Sequence, residues 1–186
     1  MNYPKIIALL SLTVLSAGLK CRNEDPPPAF PPVTQTGAGT FACKVDGKEW
    51  VAHLNFLGGG RPPEAIFIGG RLNINANRPM DSGGQKFYLM LDSVGTTGRY
   101  LTSFGSNPLP HIAGWYSPGK SSRSTFVTDS LHRGHITISR LDTAARIVAG
   151  TFEFEVGTSV TTDSGTVVAG PVTHQVTEGR FDLTFD

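Results

Sequence analysis

Apolar and polar residues alternate with a period of two along most of the chain beyond residue 39, the pattern of half-buried strands. Phe41, Cys43 and Val45 alternate with Ala42 and Lys44. Asp46-Gly47 follows, a dipeptide suited to a two-residue hairpin turn because both central residues need positive φ. Trp50 and Ala52 continue on a returning strand. Further strands are expected over Ala65–Asn75, with a bulge or bend at Gly69-Gly70, and over Lys86–Asp92. Weaker ones cover Arg99–Ser103, His111–Tyr116 and Ser124–Thr128. His135–Leu141, Arg146–Val156, Thr166–Val176 and Arg180–Phe185 complete the set. No long stretch carries the 3.6-residue helical period. The pattern predicts an all-β domain, an antiparallel β-sandwich of about ten strands, with a lipocalin-like β-barrel as the alternative.

Three segments share one solution. Gly39-Thr40-Phe41-Ala42-Cys43-Lys44-Val45, Gly150-Thr151-Phe152-Glu153-Phe154-Glu155-Val156 and Gly179-Arg180-Phe181-Asp182-Leu183-Thr184-Phe185 each open on glycine. Each then places three apolar residues on one face. Their irregular spacing excludes a repeat architecture. In this phase Cys43 points into the core, where a thiol acts as a small hydrophobe. His174, in phase with Val172 and Val176, is expected as a hydrogen-bonded core histidine, and Trp50 as a core residue.

The N-terminal portion reads differently. Lys5 precedes an apolar run from Ile6 to Leu19, too short to span a bilayer, which needs about 20 apolar residues. Cys21 stands at its end, followed by Arg22-Asn23-Glu24-Asp25 and three prolines. This is the pattern of a lipoprotein signal peptide over residues 1–20, with Cys21 lipidated as the mature N-terminus. Lys20 departs from the small residue that such cleavage favours, and Ser16 with Gly18 offers an ordinary secretory site after Gly18. Residues 21–38 are expected to comprise the lipidated cysteine and a proline-rich tether. Its fifteen residues from Glu24 to Ala38 form a semi-rigid spacer reaching roughly 40 Å at ~3.1 Å per residue. Residues 39–186 form the single β domain.

The chain has 186 residues and a formal net charge of +1, from 16 basic and 15 acidic residues. No basic stripe exists, which argues against nucleic acid. With 22 glycines, 13 prolines and only 17% charged residues, the composition suits a turn-rich β domain. Of its two cysteines, Cys43 lacks an intrachain partner if Cys21 carries lipid.

Candidate chemistry is sparse. His132-Arg133-Gly134-His135 has a spacing used in metal sites but lacks further ligands, so no metal and no cofactor are expected. There is no G-x-S-x-G nucleophile elbow, and Asp163-Ser164-Gly165 and Asp81-Ser82-Gly83-Gly84 read as turns. Glu153 and Glu155 share one outer strand face instead of flanking a substrate, as glycoside chemistry requires. Gly58-Gly59-Gly60 lacks a following helix and a phosphate-binding lysine. No catalytic residue is assigned. Trp115 and Tyr116, in a region bounded by Pro108, Pro110 and Pro118, are the candidate ligand-binding residues. An aromatic platform there would stack on a sugar or anchor a protein partner.

The run Thr40-Phe41-Ala42-Cys43-Lys44-Val45-Asp46-Gly47-Lys48-Glu49-Trp50 and the ending Val176-Thr177-Glu178-Gly179-Arg180-Phe181-Asp182 resemble small Bacteroidetes-type lipoproteins of a domain-of-unknown-function family. The resemblance covers the two ends of the domain and implies a β fold and an envelope location, with no catalytic residue. The expectation is a monomeric lipoprotein of the bacterial cell envelope. It would be held at the outer membrane through palmitate-type acylation of Cys21, facing the periplasm or the surface. Its expected role is a non-enzymatic binding or accessory module with a glycan or envelope protein as partner. The alternatives are an envelope or extracellular hydrolase and a structural subunit of a surface assembly.

Overall fold

The computed structural model describes residues 28–53, 61–79, 84–102, 111–118, 123–129, 131–161 and 167–186. The lipidation candidate Cys21, Gly58-Gly59-Gly60, Asp81-Ser82-Gly83 and Asp163-Ser164-Gly165 lie outside the described residues. Eleven strands run in chain order: β1 (Thr40–Val45), β2 (Lys48–Val51), β3 (Glu64–Ile68), β4 (Arg71–Arg78), β5 (Gln85–Leu91), β6 (Gly98–Thr102), β7 (Ile112–Pro118), β8 (Arg123–Val127), β9 (Gly134–Asp142), β10 (Ile147–Thr161) and β11 (Val167–Thr184). No helix among the described residues is long and apolar enough to cross a membrane.

All eleven strands belong to one strongly curled antiparallel sheet, ordered β2-β1-β11-β10-β8-β7-β5-β4-β3. β9 leaves this path, pairing β10 over Ile147–Phe154 and carrying β6 on its other side. The all-β architecture expected from the alternation is present. The far edge, β3, returns to the end of the chain. Ala65 forms an isolated parallel bridge with Phe185, and the Phe67 N–H donates to the Asp186 carbonyl at 3.1 Å.

Two expected local features differ. Ala65–Asn75 is not one bent strand but two, β3 and β4, joined at Gly69-Gly70. Both glycines have positive φ (59° and 83°), the geometry of a tight hairpin turn. Asp46-Gly47 makes the same kind of turn, with φ of 50° and 76°. Conversely, the two C-terminal strands are one, β11. The break expected near Thr177–Gly179 is a bulge, where the register with both β1 and β10 shifts. Glu178 takes φ of 50° there, and its carboxylate accepts from Lys44 Nζ at 2.6 Å.

The inward faces meet in an aromatic core. Phe41 lies 5.0 Å from Phe152 and 5.9 Å from both Trp50 and Phe87, centroid to centroid. Trp50 is buried as expected, and its Nε1–H donates to Gln85 Oε1 at 2.8 Å. Cys43 is fully buried, and burial pushes its thiol pKa far up, so it is inert. The bulge and the core meet at Gly179, where a Cβ would fall 2.3 Å from Phe152 Cδ2. The ring of Phe152 occupies the space that a side chain on β11 would need. Gly179→Ala is therefore expected to cost about 1–3 kcal/mol by overpacking. Gly95→Ala, where a Cβ meets nothing within 4 Å, should change stability by less than about 0.5 kcal/mol. Urea unfolding of both variants checks the contrast.

Candidate functional site

Each strand of the wall β3-β4-β5-β7-β8 buries one face and presents the other. On β4, Leu72, Ile74 and Ala76 point inward, which leaves Asn73, Asn75 and Asn77 on the outer face. On β5, Phe87, Leu89 and Leu91 are inward, and Lys86, Tyr88 and Met90 are outward. On β7, Ala113 and Trp115 are inward, and Gly114 and Tyr116 outward. The registers align these outer residues in rows across the strands. One row runs Glu64, Asn75, Tyr88, Gly114, and the next runs Asn77, Lys86, Tyr116, Thr125. The Tyr88 ring lies over Gly114, where a Cβ would come within 2.2 Å of Tyr88 Cζ. Its partial burial raises the Tyr88 pKa, so the hydroxyl remains protonated and able to donate. The result is a sheet surface carrying three carboxamides in line beside two half-buried phenols.

Of the two residues singled out by sequence, only Tyr116 belongs to this surface. Trp115 is 7% exposed and stacks on Phe87 (6.1 Å) and Phe126 (5.2 Å), so it supports the wall from inside. Its Nε1 is buried without a hydrogen-bond partner. The sequence places one member of the pair in the core and the other at the surface, and alternation along β7 makes Trp115 the inward one and Tyr116 the outward one. Asn73, Asn75, Asn77 and Tyr88 were missed. Their alternation with core residues was legible, but which outer residues from separate strands lie side by side is a matter of register.

The histidines are engaged structurally. His174 Nδ1 lies 2.6 Å from Asp46 Oδ2, and its ring meets Trp115 and Phe126 edge-on at 5.0 and 4.5 Å. It thus pins the β1–β2 turn to the aromatic cluster. Burial would raise the Asp46 pKa, but hydrogen bonds from His174 and Gln175 outweigh it and hold the carboxyl below its usual range. His132 Nδ1 lies 2.9 Å from both Asp129 oxygens, and its ring fills the space above Gly157. His135 instead contacts Arg99, so the two histidines of the 132–135 segment do not converge. His111 Nδ1 accepts from the Asp92 backbone N–H at 3.2 Å, and burial lowers its pKa against the opposing charge of Asp92. No group of three or more His, Cys, Asp or Glu side chains that could hold a metal occurs among the described residues. Glu153 is exposed on the outer face of β10.

The second polar centre lies on the opposite wall. From Phe30 onward the segment expected as part of a free spacer is a strap docked on the outer faces of β1, β9, β10 and β11. Asp182, 1% exposed, holds it. Its Oδ2 accepts from Thr34 Oγ1 (2.7 Å) and the Thr36 N–H (2.8 Å), and its Oδ1 accepts from the Gly37 N–H (2.7 Å). Arg180 lies under the Phe30 ring (4.3 Å) and donates to the Pro31 carbonyl, while Arg140 donates to the Gln35 carbonyl. Ala42 and Ala149, outward residues paired with Arg180 and Asp182, are fully buried although they stand apart from the aromatic core. Small side chains on this wall give the strap a floor. Near its start, Pro28 and Ala29 join Glu49, Val51, His53 and Arg78 around a cleft of about 180 Å³.

No family model matches this chain, and no curated protein or solved structure matches it.

The strap makes stability depend on acid. Burial would raise the Asp182 pKa, but hydrogen bonds from Thr34, Thr36, Gly37 and Ala38 hold it below its ordinary 3.8. A carboxyl depressed by folding stabilises above its unfolded pKa and loses that contribution as pH falls through the folded value. Asp182→Ala should cost about 2–3 kcal/mol at neutral pH, because strap donors lose their acceptor. The gap between wild type and variant should close below the carboxylate range, as read from urea midpoints at several pH values.

Proposed function

We propose that this protein is a lipid-anchored module of the bacterial cell envelope that binds a glycan or an envelope protein non-enzymatically through the outer face of β4, β5 and β7. The observation that carries the binding role is the array of Asn73, Asn75 and Asn77 beside Tyr88 and Tyr116. Carboxamides donate and accept at once, which suits the paired hydroxyls of a sugar or an extended backbone. Phenol rings add apolar contact area with few rotamers to freeze. The faces are held rigid by inward neighbours, so little conformational entropy is lost on binding.

The anchor rests on Cys21 at the end of the apolar leader and on the resemblance of both domain ends to small Bacteroidetes-type lipoproteins. That resemblance is carried by structural residues: Asp46-Gly47 forms the first turn, and Thr177-Glu178-Gly179-Arg180-Phe181 forms the bulge under Phe152. A diacylglyceryl cysteine, at ~0.8 kcal/mol per buried CH₂, holds a protein at a membrane durably.

On a glycan array and against solubilised envelope proteins, Tyr88→Ala and Tyr116→Ala should each weaken binding at least tenfold, about 1.4 kcal/mol. Tyr88→Ala also removes the ring packed over Gly114 and should lower the unfolding temperature, so binding is compared at a temperature where both variants are folded. Wild-type levels of binding in both variants would refute the site. In cells fed labelled palmitate, Cys21→Ser should lose the label and leave the membrane fraction while remaining folded.

A further inference from the structure

The cleft at the start of the strap is a site of its own, and the geometry points to a short-chain monocarboxylate as its ligand. The cleft lies on the seam where β2, on its side away from β1, meets β4. The β1–β2 turn closes on the Val45–Lys48 pair, and the Ala52 N–H donates back to the Phe41 carbonyl on β1 at 3.0 Å. Backbone groups along an antiparallel strand alternate in direction. Glu49, Val51 and His53 therefore turn their N–H and C=O groups away from β1, toward the seam. Two contacts across it show this. The His53 N–H donates to the Asn77 carbonyl at 3.2 Å, and the Glu49 carbonyl accepts from Arg78 Nη1 at 3.2 Å. Pro79 follows Arg78 and has no N–H with which to extend the backbone seam. Past His53 the gap is spanned by the Arg78 side chain, and the cleft is the space that remains.

Its lining divides by chemistry. Pro28 and Ala29 of the strap and Val51 of β2 supply apolar surface, and Glu49, His53 and Arg78 are polar. A guanidinium carries five N–H donors, and the Glu49 carbonyl takes one of those on Arg78. The remaining Arg78 donors and the seam-facing Val51 N–H suit the two oxygens of a carboxylate, the group that arginine binds in paired fashion. Among these six residues Arg78 alone carries a fixed positive charge, while the exposed Glu49 brings a negative one. That balance favours a ligand with a single negative charge over a phosphate dianion. A cleft of about 180 Å³ equals roughly six waters at ~30 Å³ each, room for an acid of a few carbons. Its chain would lie on Pro28, Ala29 and Val51. The cleft shares no lining residue with the asparagine–tyrosine face.

Equilibrium dialysis of the mature protein against radiolabelled butyrate tests the assignment. Binding should saturate at one butyrate per chain. Acetate, shorter by two methylenes, should compete about tenfold more weakly, and inorganic phosphate should not displace the label. Arg78→Gln should weaken butyrate binding at least tenfold. Because Arg78 also bridges the seam, Ala29→Glu serves as the second variant. Ala29 is exposed on the strap, so the variant should unfold at the wild-type temperature while its carboxylate fills the cleft with a like charge and abolishes binding. Absence of saturable binding, retention of it in folded Ala29→Glu, or displacement by phosphate as readily as by unlabelled butyrate overturns the site.

Discussion

A sheet curled this tightly encloses a space that has to be filled, and aromatic rings fill it. Phe41, Trp50, Phe87, Trp115, Phe152, Phe154 and Phe181 make a continuous run of ring contacts from one wall to the other. Each buried ring removes a large apolar area from water, and the set dominates the stability of the domain. Their size also dictates where the backbone must yield. Gly179 is bare because Phe152 lies over it, and the β11 bulge beside it admits Glu178 at positive φ. The Thr177–Phe181 ending is thus the backbone's accommodation of one ring.

The same strands carry the outer features, because alternation commits the opposite face to solvent or to another layer. On β4, β5 and β7 the outer residues are amides and phenols held by inward aromatic and aliphatic neighbours. On β1, β10 and β11 they are alanines, Arg180 and Asp182, and the strap makes a second layer over them. Asp182 is the polar counterpart of the aromatic core. Its carboxylate is removed from water, and hydrogen bonds from several strap donors compensate for that desolvation. The two walls therefore differ in kind: one is covered by a strap of the chain itself, and the other carries no such layer among the described residues.

Much of the fold was legible before the structure. The inward placement of Phe41, Cys43 and Val45, the Asp46-Gly47 turn and the burial of Trp50 follow from period-two patterning and turn chemistry. His174 does contact the aromatic cluster, although it is paired with Asp46 near the surface. Glycines within a strand pattern point to a bulge or bend at Gly69-Gly70, whereas two adjacent positive φ values reverse the chain there. The alternation ends one strand at Val176 and opens the next at Arg180, with Thr177-Glu178-Gly179 between them. A bulge interrupts alternation equally while preserving the strand.

By itself the sequence determined the class of fold and the face on which most strand residues lie. These are local properties, set by alternation and turn residues. Tertiary structure alone decided that Asn73, Asn75 and Asn77 align with Tyr88, and that a proline-rich spacer becomes a strap. Each depends on contacts between residues distant along the chain: Asn75 with Tyr88, Thr34 with Asp182 across 148 positions. A carboxylate on an outer strand face resembles any solvated aspartate until the segment that covers it is in place. The pattern along a strand shows which way a side chain points, and only the packing of the whole sheet shows what it meets.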